Sequence, residues 1–261
     1  MKSMENMLQN KQNKYVAIVI SIVGAALIWL VLTMLANIFG NQPTLHRLFT
    51  LFGGSSSGYI QAICYVGFIY ALLDMRKMRI FLKKQYEGFN LKLLPEEDQL
   101  ILTPEEVADI KLSVIEIEKR GVVYLVSDFI KKACTQYRND QSIPETLHVL
   151  DVQVNNTKEE MEGNLSIIKY LIGAIMSVGF IGTLIGLTSA IGNAHLAKTE
   201  EGMPILTSML NVAFDTTLVA LVLSLILNFM YHNYLEIMDG FYAKSRRYVI
   251  DNLISRIYRH A

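Results

Sequence analysis

Residues 170–194 read YLIGAIMSVGFIGTLIGLTSAIGNA, 25 residues without one charged side chain. A helix needs ~20 consecutive apolar residues to cross the hydrocarbon core of a bilayer, so this stretch is long enough to span. Three more blocks share its character. Residues 15–39 are uncharged, 205–231 carry the single charge Asp215, and 58–75 contain a shorter uncharged stretch from Gly58 to Leu73. That stretch is marginal alone, but Arg76, Lys77, Arg79, Lys83 and Lys84 follow it and would anchor its end. Lys2, Lys11 and Lys14 precede the first block and invite a signal-peptide reading. An apolar signal core is only ~7–15 residues, however, and no small-x-small cleavage site follows, which favours an uncleaved span.

The blocks account for the composition. Of 261 residues 52% are hydrophobic and 18% charged, against roughly 25% charged in a soluble domain. Mean hydropathy is +0.31. Lys+Arg and Asp+Glu both number 24, and this zero balance lacks the basic excess of a nucleic-acid binder. Two cysteines, Cys64 and Cys134, are too few for a disulfide framework. The expected fold is all-α: a polytopic membrane protein with four transmembrane helices and a helical cytoplasmic domain.

Charge chooses the orientation. With the N-terminus inside, residues 40–57 and 195–204 are the outer loops, carrying only Arg47 and Lys198, and the other 22 basic residues fall inside. Residues 1–14, 76–169 and 232–261 are then cytoplasmic, the last two amounting to about 125 residues. A receptor with an external ligand domain is excluded.

The inner segments read as helices. Thr103-Pro104-Glu105-Glu106 has the form of a capping box, starting a helix expected to run to Arg120 with Gly121 as its stop. A second helix is expected over 122–138. Ser142-Ile143-Pro144-Glu145 is another capping box, and from it Leu147, Leu150, Val154, Met161, Leu165 and Ile168 form a helical stripe. One helix is expected from Pro144 into the third span, about 50 residues and roughly 75 Å long. The tail, with Leu235, Met238, Phe241, Tyr242, Val249, Leu253 and Ile257, reads as an amphipathic helix despite Gly240.

The polar and small residues inside the spans are the candidates for function. Gly179, Gly182, Gly186 and Ser189 form a small-residue stripe that lets helix backbones approach. Thr183 and Thr188 flank it. The fourth span carries Asn211, Asp215, Thr216, Thr217, Ser224 and Asn228. A single Thr in a membrane helix often bonds only its own i−4 carbonyl. Asp215 stands apart, because a carboxylate at the centre of a span costs at least ~2.5–3.5 kcal/mol and normally faces a bundle interior or a water path. If it lies within a turn of the outer interface, it is instead a solvated group. Asp215 and Thr217 lie about 160° apart around a helix, so both do not point squarely into one pore.

No phosphate loop, HExxH, CxxC or Gly-x-Ser-x-Gly occurs, and the five His are scattered without metal-ligand spacing. This points away from an enzyme and from a bound metal or cofactor. Energy would come from an ion gradient or a partner.

Gly179-Phe-Ile-Gly-Thr183-Leu-Ile-Gly186-Leu-Thr-Ser-Ala-Ile191, followed by Ala213-Phe-Asp-Thr-Thr217-Leu-Val-Ala-Leu221, resembles the MotA/TolQ/ExbB proton-channel family. The resemblance covers roughly residues 165–232, and the four spans with a large inner domain resemble the MotA arrangement more than the three-span TolQ and ExbB one. It implies a pentameric ring in the bacterial inner membrane whose third and fourth spans line a pore. Two copies of a single-span MotB/TolR/ExbD-type partner, each carrying an Asp, would stand in that pore. Thr183 and Thr217 match the family's hydroxyls that line the path of H⁺ or Na⁺, with Thr216 and Ser224 as further candidates. Asp215 departs from the pattern; it either assists ion entry or pairs with a partner or neighbouring subunit. The alternative is a passive membrane scaffold that recruits partners through its cytoplasmic helices, and a membrane enzyme is a weak third.

Overall fold

The computed structural model describes residues 2–55, 58–95, 101–119, 123–199 and 202–257, and side chains from Lys14 onward. Among these residues the chain is all-helical: α1 (Lys2–Ile38), α2 (Pro43–Leu51), α3 (Tyr59–Tyr86), α4 (Pro104–Lys119), α5 (Leu125–Asp140), α6 (Ile143–Gly192) and α7 (Gly202–Asn252), with 3₁₀ turns at Glu87–Leu91, Ala194–Lys198 and Ile254–Arg256. The chain divides into an apolar unit, residues 1–76 with 167–232, and a charged unit, 77–166 with 233–261.

In the apolar unit Ala25 of α1, Tyr65 of α3 and Val219 of α7 make a buried cluster, against which Leu32, Leu51, Val66, Ile69 and Leu223 pack. Large side chains on the outside, such as Val19, Phe180, Leu225 and Phe229, stay exposed. An apolar surface of this kind calls for lipid or protein around it rather than water. Three described helices carry candidate membrane spans, within Lys14–Ile38, Ile143–Gly192 and Gly202–Arg256. The expected second span falls on α3, whose uncharged run ends at Asp74, short of ~20 residues.

Residues 40–57, expected as a loop, hold a helix. Pro43 sits at the first position of α2, where its fixed φ is pre-organised and its missing N–H costs nothing. Phe39 and Phe49 meet with ring centroids 5.7 Å apart. His46 Nδ1 lies 2.9 Å from the Ala36 carbonyl, a contact in which the ring nitrogen donates. The Tyr65 hydroxyl donates to the Phe52 carbonyl at 2.7 Å. Leu45, Leu48, Phe49 and Phe52 recur at helical spacing in this segment, and long-range contacts fix the helix.

The charged unit follows the expected pattern closely. Thr103 and Glu106 close a reciprocal capping box, Thr103 N–H donating to Glu106 Oε2 at 2.7 Å and Glu106 N–H to Thr103 Oγ1 at 3.3 Å. Such a cap is worth about 1 kcal/mol. The expected stop at Gly121 lies outside the described residues. α5 runs to Asp140, and Gln141 takes the left-handed conformation with φ 48°, its N–H donating to the Tyr137 carbonyl at 2.8 Å. α6 is one unbroken helix of 50 residues. Of its stripe Leu150, Val154, Leu165 and Ile168 are buried, and from the tail so are Met238, Phe241, Tyr242, Val249, Leu253 and Ile257. Phe89, Phe241 and Tyr86 stack edge-on at 5.2–5.8 Å. Cys134 is buried here; burial pushes its thiol up to about 12, so it is an inert core residue.

Candidate functional site

The site lies in the apolar unit where α6 meets α7. Gly179, Gly182 and Gly186 recur three and four residues apart and so occupy one face of α6. Opposite them stand Ala220, Thr216 and Ala213. A methyl group at Gly186 would lie 2.6 Å from Ala213 Cβ and 2.8 Å from its backbone nitrogen, and one at Gly179 would collide with Ala220 Cβ. At Gly182 it would meet Thr216 Cβ at 2.7 Å and Ile60 of α3 at 3.1 Å. The three glycines therefore let two backbones touch.

That approach brings two hydroxyls together. Thr183 Oγ1 donates to the Ala213 carbonyl on α7 at 3.0 Å, and Thr217 Oγ1 donates to the Gly179 carbonyl on α6 at 2.9 Å. The two hydroxyl oxygens also contact each other. A hydroxyl has one proton to donate and two lone pairs to accept with. Two protons serve three contacts, so at most two of the three are hydrogen bonds at once; on either arrangement no proton is left over, and the pair presents acceptor oxygen to its surroundings. The reciprocal bonds are invisible in the sequence, which shows two polar residues but not which atoms they address.

An open groove of about 500 Å³ borders this pair, lined by Phe180, Thr183, Phe214, Asp215, Thr217, Leu218 and Leu221. Its wall is apolar apart from the two threonines and Asp215. Thr216 is fully buried and donates to the Ala213 carbonyl of its own helix at 2.9 Å. Ser224 is buried as well and donates across to the Ile172 carbonyl at 3.1 Å. Neither is among the groove-lining residues.

Asp215 has a partner inside the chain. Arg47 of α2 reaches it with both terminal nitrogens, Nη1 to Oδ2 at 2.5 Å and Nη2 to Oδ1 at 2.7 Å. The Asp215 side chain is 8% exposed and that of Arg47 46%. Asp215 accepts these bonds and holds the guanidinium further above its ordinary range. The two residues stand 168 positions apart, and only the folding of α2 onto the unit joins them. The one available signal was a lone cation in a short loop and a lone carboxylate near the loop end of a span. Asp215 turns to α2 and Thr217 to α6, in keeping with their angular separation, yet both contribute to the groove wall. Among the described residues no three His, Cys, Asp or Glu are placed to hold a metal ion.

The comparison with protein families bears on this helix pair. Residues 124–244, which contain all of the site except Arg47, match the model of the MotA/TolQ/ExbB proton channel family. This segment is similar to that family. No curated protein and no solved structure matches the chain. Together with the long apolar helices, the match points to a membrane protein that carries a proton-channel-type segment. Members of the family work with partner proteins in channel complexes, and the match points to an ion-channel function in a motor-like assembly.

Proposed function

We propose that the chain is the channel-forming ring subunit of a membrane motor driven by proton- or sodium-motive force. In this reading it sits in the bacterial inner membrane with both termini cytoplasmic, and α3 supplies a fourth span beside those of α1, α6 and α7. Five copies surround two copies of a single-span MotB/TolR/ExbD-type partner, and the ion passes between partner and ring. The observation that carries this is the pair of Thr183 and Thr217 oxygens in the wall of one groove. With their protons engaged within the helix pair, these oxygens can accept from a protonated carboxyl group or ligate a partly dehydrated cation. They carry no charge of their own that would trap the ion. The partner's Asp would shuttle the ion past each subunit in turn, and passage would rotate the ring about the pair.

The test is co-purification. Expressed with the product of a neighbouring gene that encodes one span bearing an Asp, the chain is expected to come out of mild detergent as a complex whose mass fits five copies to two. A chain that purifies alone, with no such protein bound or encoded nearby, contradicts the proposal. A passive scaffold would instead hold its partners through α4 and α5 and tolerate loss of the span threonines.

A further inference from the structure

The groove wall holds one carboxylate, Asp215, that the threonine path does not use, and its counter-charge Arg47 comes from α2. Arg47 meets the Asp215 carboxylate fork to fork, an arrangement that lysine, a point charge, does not reproduce. It is presented from a fixed platform: α2 is tied down by the Phe39–Phe49 contact and by His46 on the Ala36 carbonyl, and Leu51 packs against the buried cluster. Taking the channel reading above as its basis, we propose that Arg47 is a positioning residue of the ion path. It holds Asp215 as a neutralised carboxylate in the groove wall and so sets the affinity of the groove for its cation.

The argument is one of charge and burial. Arg47 is half in solvent, so its own charge is hydrated with or without the pair. Asp215 is buried, and without a counter-charge a buried carboxylate draws in a proton or another cation. Among the described residues seven line the groove, and of these Asp215 alone is ionisable. While Arg47 is in place the wall is neutral overall, and the cation meets only hydroxyl oxygens that release it readily. Conduction requires such weak holding. Removing Arg47 turns the same wall into a cation trap. Removing the Asp215 charge leaves an uncompensated guanidinium that repels the cation.

The test uses the full chain with its co-expressed single-span partner, reconstituted in vesicles. Flux is followed as external Na⁺ is varied at fixed pH and as pH is varied at fixed Na⁺. Arg47→Gln is expected to lower the cation concentration for half-maximal flux about tenfold, and Asp215→Asn to raise it about tenfold, as one unit charge at short range does in a partly screened site. Arg47→Gln with Asp215→Asn is expected to return it to the wild-type value, and Arg47→Lys to fall between. Equal half-saturation in all variants, or losses of the same sign in both single variants with no recovery in the double, would overturn the proposal.

A second readout does not depend on flux. Dicyclohexylcarbodiimide attacks protonated carboxyl groups in apolar surroundings, and mass spectrometry of this chain locates the adduct. Asp215 is expected to label about ten times faster in Arg47→Gln than in the wild type, since the guanidinium no longer occupies its carboxylate. Unchanged labelling would overturn the hold of Arg47 on Asp215 even if no flux is found. Absent flux in the wild type, with faster labelling in the variant, would instead count against the channel reading alone.

Discussion

Replacing Thr183 and Thr217 together by valine is expected to abolish ion flux through the assembled complex while leaving the assembly intact. The structure separates these two effects. The two hydroxyl protons are shared among the Ala213 carbonyl, the Gly179 carbonyl and the contact between the hydroxyls themselves. Those carbonyls lie inside helices and keep their own i→i−4 donors. The loss is therefore about 1 kcal/mol for each bond, against a total stability of about 5–15 kcal/mol. Valine keeps the branched shape, so the close approach of α6 and α7 persists. What disappears is both acceptor oxygens in the groove wall, leaving apolar side chains and the neutralised Asp215. Thr216→Val is the matching control. It removes a hydroxyl that is fully buried on its own helix, and flux is expected to survive. Normal flux in the double variant would remove these residues from the path.

The second large effect is steric. Gly186→Leu is expected to prevent α6 and α7 from packing, so that little monodisperse protein is recovered from detergent. A Cβ there already stands 2.8 Å from the Ala213 backbone nitrogen, and backbone cannot rotate aside as a long side chain can. Overpacking a core typically costs about 1–3 kcal/mol and occasionally more, and displacement of a helix lies at the upper end. The displaced helices would also lose the Thr183 and Thr217 cross-bonds, which need the same approach. Gly163→Leu on the same helix is the control, because nothing stands within 4 Å of its Cβ position. Removing a mid-helix glycine there is expected to preserve or raise stability. Recovery of Gly186→Leu at wild-type yield, measured by size-exclusion chromatography, would show that the glycine face is not the packing surface.

The parts of the fold legible in the sequence are those encoded locally. Uncharged runs mark the helices of the apolar unit, and the Thr103–Glu106 box starts α4 because its partners lie three residues apart. The stripe from Leu147 to Ile168 carries α6 through Asn155, Asn156 and Gly163, since nothing in that stretch removes a backbone donor. The glycine spacing on α6 likewise marks a face before its neighbour is known. Helix α2 was passed over although Leu45, Leu48, Phe49 and Phe52 recur at helical spacing behind Pro43, because so short a segment between two spans also reads as a loop. With α2 missing, the partner of Asp215 was missing too. The 160° between Asp215 and Thr217 did not say what Asp215 faces, and both residues line one groove. The threonines were legible as polar residues in a span, whereas the direction of their protons depends on carbonyls of a second helix. That direction decides whether they offer a donor or an acceptor to the groove.

The central claim is that the groove beside Thr183 and Thr217 is where the partner's helix stands. Cysteine cross-linking in native membranes tests it most directly, in a background with Cys64 and Cys134 replaced by alanine. Leu218→Cys and Phe180→Cys lie in the groove, and Val19→Cys lies on the exposed face of α1. The account predicts disulfide formation between the groove positions and cysteines placed near the Asp of the single-span partner, and none from position 19. Cross-links from position 19 with none from 180 or 218 would contradict it.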